Sequence, residues 1–301
     1  MSTTEHRCRT CLAPYHAGDR FCENCGAVLN EVETPPISEN RIELDLSVVA
    51  AVSDRGLKHH RNEDSFRLEV GDDQTVAAIV CDGASRASAG NAAAREAARA
   101  AGSVLTAVIT DPSRNAEAVT IKAIEAAQDA VEQVPWTTRT RRVDPSCTLV
   151  SAIWRHGEIV IGWVGDSRAY WSDGDGTSQL TVDDSFAEES VAQGMLTPDQ
   201  AAKSPFLHSI TNWVGGGAPD RPPRTTSLKP QRRGRLVLCT DGLWNYAATS
   251  AELNELIETL PADASPVEVA RALTDAALER GGHDNITVAV LDIDPAPPAV
   301  G

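Results

Sequence analysis

The apolar positions change period several times along the chain. From Ile42 they alternate: Leu44, Leu46, Val48 and Ala50 interleave with Asp45, Ser47 and Val49, the spacing of a strand with one buried face. Thr75 to Cys81 is a continuous apolar run and reads as a buried strand. Asn91 to Ile109 is alanine-rich and predicts a helix lying close on a sheet, stopped by Asp111-Pro112. A second helix is expected over Ala116 to Val134, with Val119, Ile121, Ile124 and Val131 inward and Pro135 at its end. Strands follow at Ser146–Trp154 and, after Gly157, at Ile159–Val164 and Ala169–Trp171, with a hairpin loop at Asp173–Gly176. Short helices are expected at Phe186–Gln193 and from Thr197-Pro198 to Lys203.

Residues 204 to 232 carry Gly215-Gly216-Gly217, Pro219, Pro222-Pro223, Arg221 and Arg224, and read as an irregular, mobile basic flap. Helices at Ser250–Leu260 and Pro266–Arg280 precede a last strand, Ile286–Ile293. Strands cluster, helices come in sequential pairs, and no regular βαβ alternation runs through the chain. That predicts an α+β fold with antiparallel sheets.

Carboxylates stand at the tips of these strands. Cys81-Asp82-Gly83, Val164-Gly165-Asp166, Cys239-Thr240-Asp241-Gly242 and Asp284-Asn285 each adjoin an apolar run, and Glu63-Asp64 lies upstream. Asp and Gly also mark ordinary turns. Several such tips in one chain point instead to oxygen ligands gathered for a hard divalent cation.

The net charge of -16 over 301 residues argues against a broad nucleic-acid surface. The start, Met1-Ser2-Thr3-Thr4-Glu5, has no apolar signal core, and no run nears the roughly 20 apolar residues of a membrane span. A cytoplasmic protein is expected. Cys8-x-x-Cys11 and Cys22-x-x-Cys25 have the spacing of a four-cysteine zinc ribbon holding one structural Zn²⁺, with protein contact or self-association as its role. The domain reading is a ribbon over 1–29, a linker over 30–43, a main domain over 44–294 and a disordered tail over 295–301.

Eight ordered blocks then carry a resemblance. They are Ser53-Asp54-Arg55-Gly56, Asn62-Glu63-Asp64-Ser65-Phe66, Cys81-Asp82-Gly83, Cys147-Thr148-Leu149-Val150, Gly165-Asp166-Ser167-Arg168-Ala169-Tyr170, Leu180-Thr181-Val182-Asp183-Asp184-Ser185, Leu238-Cys239-Thr240-Asp241-Gly242-Leu243 and Asp284-Asn285-Ile286-Thr287. From Leu44 to Asp294 the chain resembles the metal-dependent type 2C serine/threonine protein phosphatases, the PPM family. The resemblance implies an αββα sandwich of two antiparallel sheets flanked by helix pairs, and a centre of two Mn²⁺ or Mg²⁺ ions. Asp82 would bridge both ions, with the Gly83 carbonyl on one and Asp241 and Asp284 on the other. Glu63 and Asp64 would orient metal-bound waters, Asn285 would support Asp284, and Asp166 matches a position that helps hold a third ion in bacterial members. A bridging hydroxide would attack phosphoserine or phosphothreonine in line. Phosphorylated proteins would be the partners, in a serine/threonine kinase pathway.

Two blocks depart from the family. His59 stands where the family has the arginine that grips the substrate phosphate, with Lys58, His60 and Arg61 around it. After Asp82-Gly83 the run is Ala84-Ser85-Arg86-Ala87, without a general-acid histidine; a metal-bound water or His59 would have to protonate the leaving oxygen, and Arg86 could act on the phosphate. Two other readings stay open: a phosphatase-like phosphoprotein-binding module with weak turnover, and a ribbon-based nucleic-acid adaptor.

Overall fold

A computed structural model describes residues 6–7, 14–15, 40–71, 75–84, 87, 89–111, 113–136, 144–201, 203–204, 206 and 209–295. The chain divides into two compact units, Met1–Ile37 and Ser38–Gly301. In the first, β1 (His6–Arg7) pairs antiparallel with β2 (Pro14–Tyr15). Cys8, Cys11, Cys22 and Cys25 lie outside the described residues, as do 30–39 of the expected linker and 296–301 of the expected tail.

The second unit runs β3 (Arg41–Asp45), β4 (Val49–Asp54), β5 (Ser65–Val70), β6 (Val76–Cys81), α1 (Gly90–Thr110), α2 (Ala116–Glu132), β7 (Ser146–Cys147), β8 (Leu149–Arg155), β9 (Glu158–Val164), β10 (Arg168–Asp173) and β11 (Gly176–Gln179). It continues through α3 (Phe186–Ala192), α4 (Pro198–Ala201), β12 (Val214–Gly215), β13 (Arg224–Leu228), β14 (Gly234–Cys239), α5 (Asp241–Trp244), α6 (Ser250–Glu258), α7 (Pro266–Glu279) and β15 (Ile286–Ile293). No helix among the described residues is long and apolar enough to cross a membrane.

Two antiparallel sheets form the centre, in the orders β11-β10-β14-β15-β4-β3 and β13-β9-β8-β6-β5. The run Val76–Cys81 shows why its sequence is apolar throughout. Val76, Ala78 and Val80 face the inter-sheet core with Leu236, Leu238 and Ala289, whereas Ala77, Ile79 and Cys81 face α1. A strand covered on both sides loses its polar alternation. Five alanines of α1 (Ala93, Ala94, Ala97, Ala98 and Ala101) are buried, so the helix axis lies close to the sheet. On the opposite flank α7 packs on β4 and β15 through Val269, Ala270 and Leu273.

Several boundaries follow the expected local chemistry. Asn115 caps α2 by accepting from Ala118 N at 2.8 Å, and Thr249 with Glu252 closes a capping box on α6. Asp173 pairs with Gly176, so Gly174-Asp175 is a two-residue hairpin turn, as expected.

Other expectations need correction. The alternation from Ile42 to Ala50 is not one strand. Ser47 sits at φ 69, its N–H donates to Asp45 Oδ1 at 2.8 Å, and the chain folds back as the β3–β4 hairpin. That hairpin begins at Arg41, inside the stretch read as linker. Nor is 204–232 irregular throughout: β13 is an edge strand on β9, and β12 pairs with β7. Edge strands bury one side only and tolerate the nearby prolines, which hides them from a hydrophobicity pattern. Asp241 does not end a strand; it is the first residue of α5.

Candidate active site

Antiparallel register brings the carboxylate tips to one rim. Ser65 pairs with Cys81, so Asp64 before β5 and Asp82 after β6 emerge together. In the other sheet Arg168 pairs with Cys239, Cys239 with Val288, and Ile286 with Asp54. Asp166, Asp241 and Asp284 therefore leave the second sheet at the same rim level.

Asp64 ties the two sheets together. Its Oδ2 accepts from Thr240 Oγ1 at 3.0 Å and from Thr287 Oγ1 at 2.7 Å, both on the opposing sheet side. Thr287 Oγ1 also lies 2.7 Å from Ser53 Oγ, which in turn accepts from Asn62 Nδ2 at 2.8 Å. Thr240 precedes α5 in the N-cap position but does not cap it: its Oγ1 donates to Asp64 and accepts from Thr287 N at 3.0 Å.

Asn285 holds the loop that carries Glu63. Its Oδ1 accepts from Glu63 N at 2.7 Å, and its Nδ2 donates to the carbonyls of Arg55 and Arg61 at 2.7 and 3.1 Å. That loop lies hard against the Asp284 turn: a Cβ on Gly56, at φ 74, would stand 2.0 Å from the Asp284 carbonyl oxygen. Gly83 is equally confined. Its N–H donates to the Glu63 carbonyl at 3.2 Å, and a Cβ there would lie 2.4 Å from the Gly90 carbonyl oxygen. Asp82 is fixed through its backbone, donating to Thr148 Oγ1 at 3.3 Å and accepting from Thr148 N at 2.8 Å. The Asp166 carbonyl accepts from Trp244 Nε1 at 2.9 Å.

Burial and mutual repulsion raise Asp64, Asp82, Asp166 and Asp241 together. Burial, then the charges of Asp64 and Asp241, push Asp82 well above the ordinary carboxylate range. Asp166 is driven well up by burial and then by Asp241. Burial, against the hydrogen bonds from Thr287 and Thr240, leaves Asp64 at about 8. Asp241 is raised to about 6 by burial and by Asp284, against the hydrogen bond its Oδ2 accepts from Asn245 Nδ2 at 3.3 Å. Glu63 is also raised, by burial first.

The donor set suits a hard cation. Among the described residues no three His, Cys, Asp or Glu side chains already surround a single point. Mutual repulsion opposes such a sphere until a positive charge is present. Two observations favour that charge. Asp64 Oδ1 and Asp241 Oδ1 are buried without a hydrogen-bond partner among the described residues, and the acids that raise one another are all oxygen donors of the kind Mg²⁺ and Mn²⁺ take.

Of the residues singled out in the sequence, Glu63, Asp64, Asp82, Gly83, Asp166, Asp241 and Asp284 meet at this rim. His59 joins them, with Nε2 3.2 Å from Asp284 Oδ1. Arg86 lies outside the described residues. The hydroxyls of Thr240 and Thr287 and the indole of Trp244 had no predicted role. Of these only Thr240 carries a sequence signal, a polar residue at the end of an apolar strand beside an acid.

Comparisons with known proteins agree with this geometry. The sequence profile of the family Protein phosphatase 2C matches residues 56–278. A serine/threonine phosphatase of Listeria innocua, stp, is 29% identical over 246 residues, 80% of this chain and 93% of that protein. The fold is similar to the catalytic domain of a serine threonine protein phosphatase, PstP, solved with 2 manganese ions: TM-score 0.61, 26% identity, 84% of this chain and 98% of that one. A serine/threonine phosphatase from Staphylococcus aureus superposes with TM-score 0.69 at 23% identity, over 83% of this chain and 96% of that one.

Proposed function

The chain belongs to the protein phosphatase 2C family and is a serine/threonine protein phosphatase, and on that premise we propose that it hydrolyses phosphoserine and phosphothreonine with two Mn²⁺ or Mg²⁺ ions at the acidic rim. The observation that carries this is the pair of buried, unpartnered oxygens of Asp64 and Asp241 among mutually raised carboxyls. Asp82 would serve both ions, the Gly83 carbonyl one, and Asp241 and Asp284 the other; Asp166 would help hold a third. When bound, the ions supply an activated water and positive charge for the phosphoryl oxygens.

The remaining work falls to the protein. Thr240 and Thr287 hold Asp64 in one rotamer, with Oδ1 left to accept from water. Asn285 sets the Glu63 backbone, so that its carboxylate reaches the same water layer. His59 stands beside Asp284, its Nε2 3.2 Å from Asp284 Oδ1. There it donates to a phosphoryl oxygen or to the leaving oxygen, in place of the family's arginine.

The same reading keeps the protein in the cytoplasm, opposite a serine/threonine kinase pathway. It also gives Cys8, Cys11, Cys22 and Cys25 a structural Zn²⁺ and a protein partner. Phosphate release from a phosphothreonine peptide, with and without millimolar Mn²⁺ after chelation, tests the central claim. Mn²⁺-dependent turnover that disappears in Asp241→Asn is expected. No turnover with any divalent ion, in a folded protein that still binds Mn²⁺, would leave only a phosphoprotein-binding module.

A further inference from the structure

A groove of about 540 Å³ opens beside the acidic rim. One wall is α2, with Glu125, Asp129 and Glu132; the other is the segment from Asn212 to Pro223. Gln128 joins the walls: its Nε2 donates to the Gly215 carbonyl at 2.9 Å and its Oε1 accepts from Gly215 N at 2.7 Å. The groove is thus held open by the fold.

Its lining is part apolar and part acidic. Val164, Trp213, Pro222 and Pro223 are among its apolar lining residues. Glu125, Asp129, Glu132 and Asp220 are exposed along the edge, and none has an ion pair among the described residues. Arg221 is the one cation among the described lining residues, and it is spent on Glu189 at 2.5 Å.

The groove connects to the catalytic turn through the sheet. Gly83 bridges to Cys147, and Cys147 pairs on its other side with Val214, which lines the groove. Two ladder spacings set the Val214 backbone roughly 10 Å from that of Gly83. An extended peptide covers that distance in about three residues. The lining residue Asn212 also donates to Asp184 Oδ2 at 3.2 Å, and that oxygen accepts from Gly165 N beside Asp166.

We propose that this groove is a docking subsite for Lys or Arg side chains lying about three to six positions from the phosphorylated serine or threonine of a substrate protein. Charge complementarity selects the occupant: the edge repels acidic segments and attracts basic ones. The apolar lining residues, Trp213 among them, suit the methylene stems of Lys and Arg. The proposal rests on the phosphatase reading for its substrate and on the groove alone for its charge preference.

The test uses the full chain loaded with Mn²⁺ and three phosphothreonine peptides. One is neutral, one has Lys at positions three to six before the phosphothreonine, and one has them after it. The variant Glu125→Gln/Asp129→Asn/Asp220→Asn alters exposed edge charges only. In the wild type, KM for one basic peptide should fall about three- to tenfold below that of the neutral one, a gain that shrinks at high salt. The variant should lose this preference and keep hydrolysis of the neutral peptide and of p-nitrophenyl phosphate. Equal KM values in the wild type, or a preference that survives in the variant, would overturn the proposal. Fluorescence anisotropy of the same labelled peptides separates the two readings. Charge-selective binding without turnover would sink the phosphatase mechanism and keep the groove. Turnover without charge selectivity would sink the groove and keep the mechanism.

Discussion

Two groups of buried acid stand at this end of the sandwich, and they are built in opposite ways. Asp183 is compensated. Arg168 grips it through Nε and Nη2 at 2.8 to 3.1 Å, while the guanidinium also donates to Tyr170 and lies 3.8 Å from the Trp244 ring centre. Asp64 accepts from two hydroxyls and Asp241 from the Asn245 amide, but neither these nor Asp82 and Asp166 have an arginine or lysine bonded to them among the described residues. A charge that has its partner in the fold supports the structure. Carboxylates assembled without one keep their affinity for a partner from solution.

The contrast can be broken most severely at the uncompensated group. Asp82→Asn should reduce Mn²⁺-dependent phosphate release on the order of 10³-fold, since it removes the charge expected to serve both ions. The same change should raise the melting temperature of the metal-free protein, because it relieves repulsion; scanning calorimetry in chelator checks this. Asp183→Ala should do the reverse. It leaves Arg168 largely buried without its anion and should cost about 3 kcal/mol in chemical denaturation, with ligand residues untouched.

The pH dependence sharpens the same difference. Asp64 at about 8 and Asp241 at about 6 hold protons in the folded, metal-free protein that the unfolded chain releases. Their contribution is therefore complete below the ordinary carboxylate value near 4 and is lost as pH rises through 6 and then 8. The metal-free melting temperature should fall by several degrees between about pH 5 and pH 8. Added Mn²⁺ should raise it more at the upper end, where ions no longer compete with protons. A flat metal-free profile would mean that these acids are not mutually raised.

The smallest effect is expected at His59. His59→Arg would offer a planar fork beside Asp284 and should lower KM for a phosphopeptide a few-fold. An unchanged KM in steady-state kinetics would put phosphate recognition elsewhere.

Much of the site was legible before the fold was known, because an acid at the end of an apolar run is visible in one dimension. Cys81-Asp82-Gly83 and Asp284-Asn285-Ile286 stand at the strand tips expected of them. The longer helices were legible too, since their apolar spacing and caps are local: α2 starts at Ala116 behind Asn115, and α7 at Pro266 behind Ser265. The β3–β4 hairpin was not. Its turn depends on the positive φ of Ser47, a serine that carries no glycine-like signal. The edge strand β13 was hidden for a similar reason, since its pairing to β9 is made by backbone groups of Arg224–Leu228 and not by an apolar face.

By itself the sequence determined which residues are chemically able to hold cations, the α+β class and the family. The tertiary structure decided which of those acids are compensated and which are not. Asp64 and Asp183 are both aspartates beside a hydroxyl-bearing residue or another acid in the chain, and nothing local separates them. Thr240 and Thr287 reach Asp64 from 176 and 223 residues away, whereas Arg168 reaches Asp183 across 15. Partners so distant in sequence meet only when antiparallel register fixes which strand ends share a rim. The charge left unpaired there is a property of that register.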